Sequence, residues 1–136
     1  MDYTEFLEDV RTRARLGTKD EALAAARATL EVLALRLFRK DGEIMAHQLP
    51  PEVGLYMLNG KEQERFDLIE FFKRVGREES VDLPEAVRHV RGVVSVLLDT
   101  LSPDLIEDIR MQLPGEYGAL FGPENMVNES SHAWKR

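Results

Sequence analysis

The 136-residue sequence contains no cysteine, which excludes disulfides, a thiol nucleophile and thiolate metal sites. It has no apolar run near the ~20 residues needed to cross a bilayer. Its first residues, Met1-Asp2-Tyr3-Thr4-Glu5, lack the basic and apolar regions of a secretory signal. A cytoplasmic chain without membrane association is the expectation. Cations are the minority charge, 18 Lys and Arg against 25 Asp and Glu, for a formal net charge of -7. Nonspecific nucleic-acid binding needs clustered Lys and Arg to displace counterions. The nearest approach to a cluster, Arg11, Arg13 and Arg15, is flanked by Glu8, Asp9, Asp20 and Glu21, as on a solvated, salt-bridged helix face. No nucleic-acid partner is expected.

Catalytic signatures are also scarce. The three histidines are His47, His89 and His132. Glu43 and Glu85 each precede a histidine by four residues, which places each pair on one helix face, an ordinary surface arrangement. Two-residue half-sites of this kind lack a complementary half, so no metal or cofactor is expected. The acids Asp104, Glu107 and Asp108 fall in the first turns of a helix, where negative charge offsets the dipole. No segment sustains the period-two alternation of a strand, so a phosphate loop following a strand has no place. The expectation is a protein that is not an enzyme.

The sequence does contain amphipathic helices. Residues 2–16 carry Phe6, Leu7, Val10 and Ala14 at helical spacing, with Gly17 as the stop. Thr18 and Glu21 form a capping box ahead of a long helix over about 19–39. Its stripe is Ala22, Ala26, Leu30, Leu33 and Leu37. Asp41 and Gly42 read as a break, residues 43–48 as a short helix, and Pro50 as the start of another. Leu55, Tyr56 and Leu58 give that last helix its apolar content.

The pattern then recurs. Asp67, Glu70, Phe71 and Val75 repeat Asp2, Glu5, Phe6 and Val10 at an offset of 65. From residue 85 the offset is 64, and residues 21–58 and 85–122 share 12 identities over 38 ungapped positions. Such self-similarity marks an internal duplication. The second long helix has Asp82 as N-cap, Pro84 in its first turn, and the stripe Ala86, Val90, Val94, Leu97 and Leu101. Gly92, aligned with Ala28, predicts a close helix crossing. Ser102-Pro103 opens the next helix, filled by Ile106 and Ile109. Leu120 and Phe121 close the last one. The fold class is therefore all-α: two homologous repeats of about four helices each, one of them long, packed as one pseudo-twofold domain. Repeat 1 spans 2–58 and repeat 2 spans 66–122, joined by a polar linker at 59–65, with a flexible tail over 123–136.

The most specific shared phrase is Gln48-Leu49-Pro50-Pro51-Glu52-Val53-Gly54 against Gln112-Leu113-Pro114-Gly115-Glu116-Tyr117-Gly118. Its structural reading is a helix–helix corner: leucine anchors, prolines that start a helix, glutamines that satisfy backbone groups, and acids in a first turn. Its functional reading makes Gln48, Glu52, Gln112 and Glu116 part of a binding surface. Arg27 and Arg91 are also matched between copies and are placed to pair with Glu52 and Glu116, or to contact a ligand. Trp134, the only tryptophan, is a candidate docking residue.

A duplicated pattern of Phe, a long Ala/Leu helix and a Gln-Leu-Pro corner followed by Glu resembles the domain of unknown function 2267 family over roughly residues 2–122. The resemblance implies a small all-α bacterial protein and supplies no activity or catalytic residues. Gly115 in place of Pro51 departs from the repeat. The functional expectation is a protein-interaction or adaptor module whose partner is another protein or a second copy of the chain. Its groove between the repeats would take an amphipathic helix or a short peptide. The alternative is a carrier or sensor for a small hydrophobic ligand, with a cavity between the long helices lined in part by Met45, Met57 and Met111.

Overall fold

Five helix starts are set by side chains that accept a backbone N–H. Asp2, Thr18, Asp67, Asp82 and Ser102 accept from Glu5, Glu21, Glu70, Glu85 and Leu105 over 2.8–3.3 Å. Asp2 and Thr18 form full capping boxes. The computed structural model describes residues 1–58, 63–123 and 125. Its helices are α1 (Tyr3–Arg13), α2 (Lys19–Arg36), α3 (Arg39–Gln48), α4 (Pro51–Gly54), α5 (Leu68–Glu79), α6 (Leu83–Thr100), α7 (Pro103–Gln112) and α8 (Gly118–Phe121). Short 3-10 turns cover Leu55–Met57 and Gly115–Tyr117. Among the described residues there is no strand, and no helix is long and apolar enough to cross a membrane.

The long helices α2 and α6 pack on each other, and each of the shorter helices α1 and α5 packs on both. All ten stripe positions read from the sequence are buried. Phe71 anchors one end of this core, meeting Tyr117 edge to face at 6.0 Å between centroids. The Tyr117 hydroxyl donates to the Phe66 carbonyl at 2.8 Å. Burial pushes the Tyr117 hydroxyl pKa up. The buried Arg36 donates to the carbonyls of Phe66 and Glu64 and lies over the Phe66 and Tyr117 rings at 5.5 and 5.3 Å.

Several boundaries differ from the sequence reading. The turn after α1 is made by Arg15 at φ 57°, not by Gly17. Leu16 N–H reaches the Arg11 carbonyl and Arg15 N–H that of Thr12, a Schellman closure that requires a left-handed residue at position 15. Ser80, at φ 61°, has the same role after α5. Helix α2 stops at Arg36, and Asp41 and Gly42 belong inside α3. Both are buried there, where Gln112 donates to the Asp41 carboxylate and Gly42 lies beside the Met57 carbonyl. In the segment after Pro50, the change from α4 to a 3-10 turn rotates Val53 and Met57 inward and leaves Leu55 and Leu58 exposed. Asn125, assigned to the tail, is buried and donates to the carbonyls of Arg91 and Leu120. Linker residues 59–62 and tail residues 124 and 126–136, including Trp134, lie outside the described residues.

Candidate functional site

The glutamines of the repeated phrase act across the molecule. Gln48, ending α3, accepts from Ser102 N–H at 2.8 Å and donates to the Ser102 hydroxyl at 3.2 Å, at the start of α7. Gln112, ending α7, accepts from Phe38 N–H at 2.8 Å, at the start of α3, and donates to Asp41. Each helix thus supplies the partner for an orphan N–H at the other's N-terminus. Glu116 does a similar job for α5, accepting from Leu68 N–H at 3.2 Å. Glu52 is exposed in the first turn of α4. The expected Arg–Glu pairs do not form. Arg27 pairs with Glu31 at 3.2 Å and lies over the Tyr56 ring, while Arg91 offers its carbonyl to Asn125. Arg27 and Arg91 line separate clefts, and neither lining includes Gln48 or Gln112.

Five large apolar side chains are exposed around that corner, among charged neighbours such as Arg39, Lys40, Glu43, Glu107 and Asp108. Phe38, Ile44, Leu55, Leu58 and Met111 are each exposed by 43–77%. They lie on or beside α3, α7 and the first 3-10 turn, which pack together. Between the long helices, Leu30, Leu33, Val94 and Leu97 are fully buried. Met45 and Met57 are core residues, and only Met111 of that trio faces solvent.

A second feature sits where the end of α1 crosses α6. A β-carbon on Gly92 would lie 2.6 Å from backbone atoms of Ala14, so glycine is what permits this approach. The crossing brings Arg13 and Arg15 beside Arg88 and Arg91 in a cleft of about 670 Å³, whose lining also includes Asp82 and Glu85. Arg13 donates to the Ser95 carbonyl and hydroxyl and pairs with Asp99 at 2.7 Å. Arg88 donates to the Ala14 carbonyl at 3.0 Å, closing the C-terminal end of α1. No hydrogen bond or ion pair engages the Arg15 or Arg91 guanidinium among the described residues.

The aligned place in the other half, where the end of α5 meets α2, holds a cleft of about 520 Å³ with the opposite character. Arg27 and Tyr56 share its lining with Asp20, Glu78 and Glu79. Burial first, and then a hydrogen bond with Glu31, push the Glu78 carboxyl up to about 7. Neighbouring Glu79 accepts from His89 Nδ1 at 2.9 Å, and His89 Nε2 faces Arg88 at 3.4 Å. These contacts join the two clefts through one buried imidazole. The sequence pairing of His89 with Glu85 is replaced by this bond to Glu79. At the other predicted pair, His47 Nδ1 meets the Glu43 carbonyl at 2.8 Å rather than its carboxylate. Sequence reasoning missed the Glu79–His89–Arg88 chain because its members come from two helices, and only their packing aligns them.

The profile of a family described as uncharacterized conserved protein (DUF2267) matches residues 3–120. No curated protein matches the chain.

Proposed function

The chain belongs to the DUF2267 family, and from that premise we propose that it is a non-catalytic protein-interaction module working through its α3–α7 face. The observation that supports this reading is the exposed apolar set Phe38, Ile44, Leu55, Leu58 and Met111 on elements that pack together. Apolar surface gathered on one region favours association, whereas single exposed residues need no explanation. Position also matters. The crossed glutamine caps fix α3 against α7, so the face is presented on a rigid pair of helices and loses little side-chain or backbone freedom on binding. The interaction reading is favoured over the carrier because Leu30, Leu33, Val94 and Leu97 occupy the space between the long helices. A cytoplasmic setting suits a cysteine-free chain of this composition.

The test compares the full chain with a Phe38→Asp/Met111→Asp variant, both tagged and expressed in the native cell. Sedimentation velocity on the purified proteins runs alongside. A stoichiometric protein partner or a concentration-dependent dimer, present for the native chain and lost in a variant of unchanged helicity, supports the module. A native chain that stays monomeric and recovers nothing the variant does not also recover refutes it.

A further inference from the structure

The arginines around the α1–α6 crossing exceed what the crossing itself requires. At the 64- and 65-residue offsets, Arg13, Arg15 and Arg88 align with Glu78, Ser80 and Ala24. Those residues accompany a similar approach of α5 to α2. A helix end can therefore be packed on a long helix without any of these cations. Arg15 makes the point most directly. It occupies a left-handed position at φ 57°, where glycine is the unstrained choice, and its guanidinium makes no hydrogen bond or ion pair among the described residues. Among the described residues the Arg91 guanidinium at the same cleft likewise makes no hydrogen bond or ion pair. Four arginines line the cleft with two carboxylates, and a third carboxylate, Asp99, is paired with Arg13, which leaves cations in excess in a chain whose acids outnumber its bases. One of those carboxylates, Asp82, is already turned to the first turn of α6 through its bond to Glu85 N–H.

We propose that the α1–α6 cleft is a binding site for a compact soluble polyanion of the diphosphate class, gripped by Arg15 and Arg91. Arg88, held by the neutral Ala14 carbonyl, supplies fixed positive charge from the wall, while Arg13 is held by Ser95 and offset by its ion pair with Asp99. The planar guanidinium fork matches phosphate oxygens in pairs. Two guanidinium forks in one cleft, neither engaged among the described residues, favour a ligand with two anionic groups over a single monoanion. The cleft, at about 670 Å³, accommodates such a ligand with its water. This site is separate from the apolar α3–α7 face and stands or falls independently of it.

Pyrophosphate is the probe, titrated into the full 15N-labelled chain against potassium chloride of matched ionic strength. Saturable shifts at the amides of Arg15 and Gly92 are expected with pyrophosphate and not with chloride. Loss of one charge-assisted contact in Arg15→Gly or Arg91→Gln should weaken binding about tenfold each. Arg27→Gln, in the opposing cleft, should leave it unchanged. Arg15→Gly keeps a residue suited to the left-handed position, so its lost binding cannot be ascribed to unfolding if its melting temperature holds or rises. The proposal is overturned by shifts that chloride reproduces, by binding that survives both cleft variants, or by equal weakening in Arg27→Gln.

Discussion

The crossed caps make the two glutamines unequal in a measurable way. In Gln112→Ala, Phe38 N–H loses its acceptor and the Asp41 carboxylate loses a donor. Asp41 is 2% exposed, and its other oxygen has no hydrogen-bond partner, so the truncation strands a buried carboxylate. Leaving a charged group without its bond costs about 2–3 kcal/mol, and the lost amide bond adds about 1. In Gln48→Ala, the groups released are Ser102 N–H and hydroxyl. Ser102 is half-buried, so water replaces much of what is lost and about 1 kcal/mol is expected. Urea unfolding followed by helical circular dichroism reads the difference as a change in midpoint at constant slope. The expected gap is about 2 kcal/mol, with Gln112→Ala the worse. Adding Asp41→Ala to Gln112→Ala should recover most of that gap, since the pair is coupled. Equal costs for the two single variants, or a smaller cost at Gln112, would refute the stranded-carboxylate argument.

Gly92→Ala sets helix propensity against packing. Alanine gains about 1 kcal/mol of propensity, but its β-carbon would meet Ala14 backbone at 2.6 Å. A net loss of about 1–3 kcal/mol on urea unfolding is expected, and a stabilised variant would contradict the close crossing. Leu97→Ala removes a fully buried stripe residue and should cost about 2–5 kcal/mol in the same assay; a near-neutral result would sink the packing scheme. Glu78 predicts a pH dependence. Its folded pKa of about 7 lies above the ordinary 4.5, so the folded chain holds more protons between those values. Its destabilising effect is absent below about pH 4.5, grows through that window and is complete above about 7. The exposed side of Glu78 is screened, so the expected change is only about 1 kcal/mol. It should vanish in Glu78→Gln, and equal pH profiles for the two proteins would refute it.

How much the sequence disclosed depended on the range of the interaction. Caps such as Thr18 with Glu21, and stripes such as Ala86, Val90, Val94, Leu97 and Leu101, act within one helix, and period and cap chemistry reveal them. Asp41-Gly42 read as a break because both residues are poor helix formers. The burial of Asp41 in α3 depends on Gln112, 71 residues away. Gly17 read as the stop because glycine is the usual left-handed residue; the closure at Arg15 overrides that preference. The glutamines were legible as caps, but not as caps for each other's helices. Likewise Arg27 and Arg91 were legible as matched residues, while the clefts they line arise only when α5 meets α2 and α1 meets α6.

Those two clefts also show where the segments that align in sequence differ most. Positions that build the body change conservatively: Leu30 aligns with Val94, Leu33 with Leu97 and Leu37 with Leu101, all buried. At the clefts the aligned residues change charge instead. Arg13 corresponds to Glu78 and Arg88 to Ala24, whereas Arg27 and Arg91 keep theirs. A core position is constrained by the volume it must fill, and a cap by the donor it must satisfy. A cleft residue such as Arg15 or Glu78 answers to neither constraint, and each has a cost at its site, backbone strain for one and a raised pKa for the other. Packing alone would favour glycine at position 15 and a neutral side chain at 78. Residues that go against the preference of their own site are the ones for which binding is the better explanation.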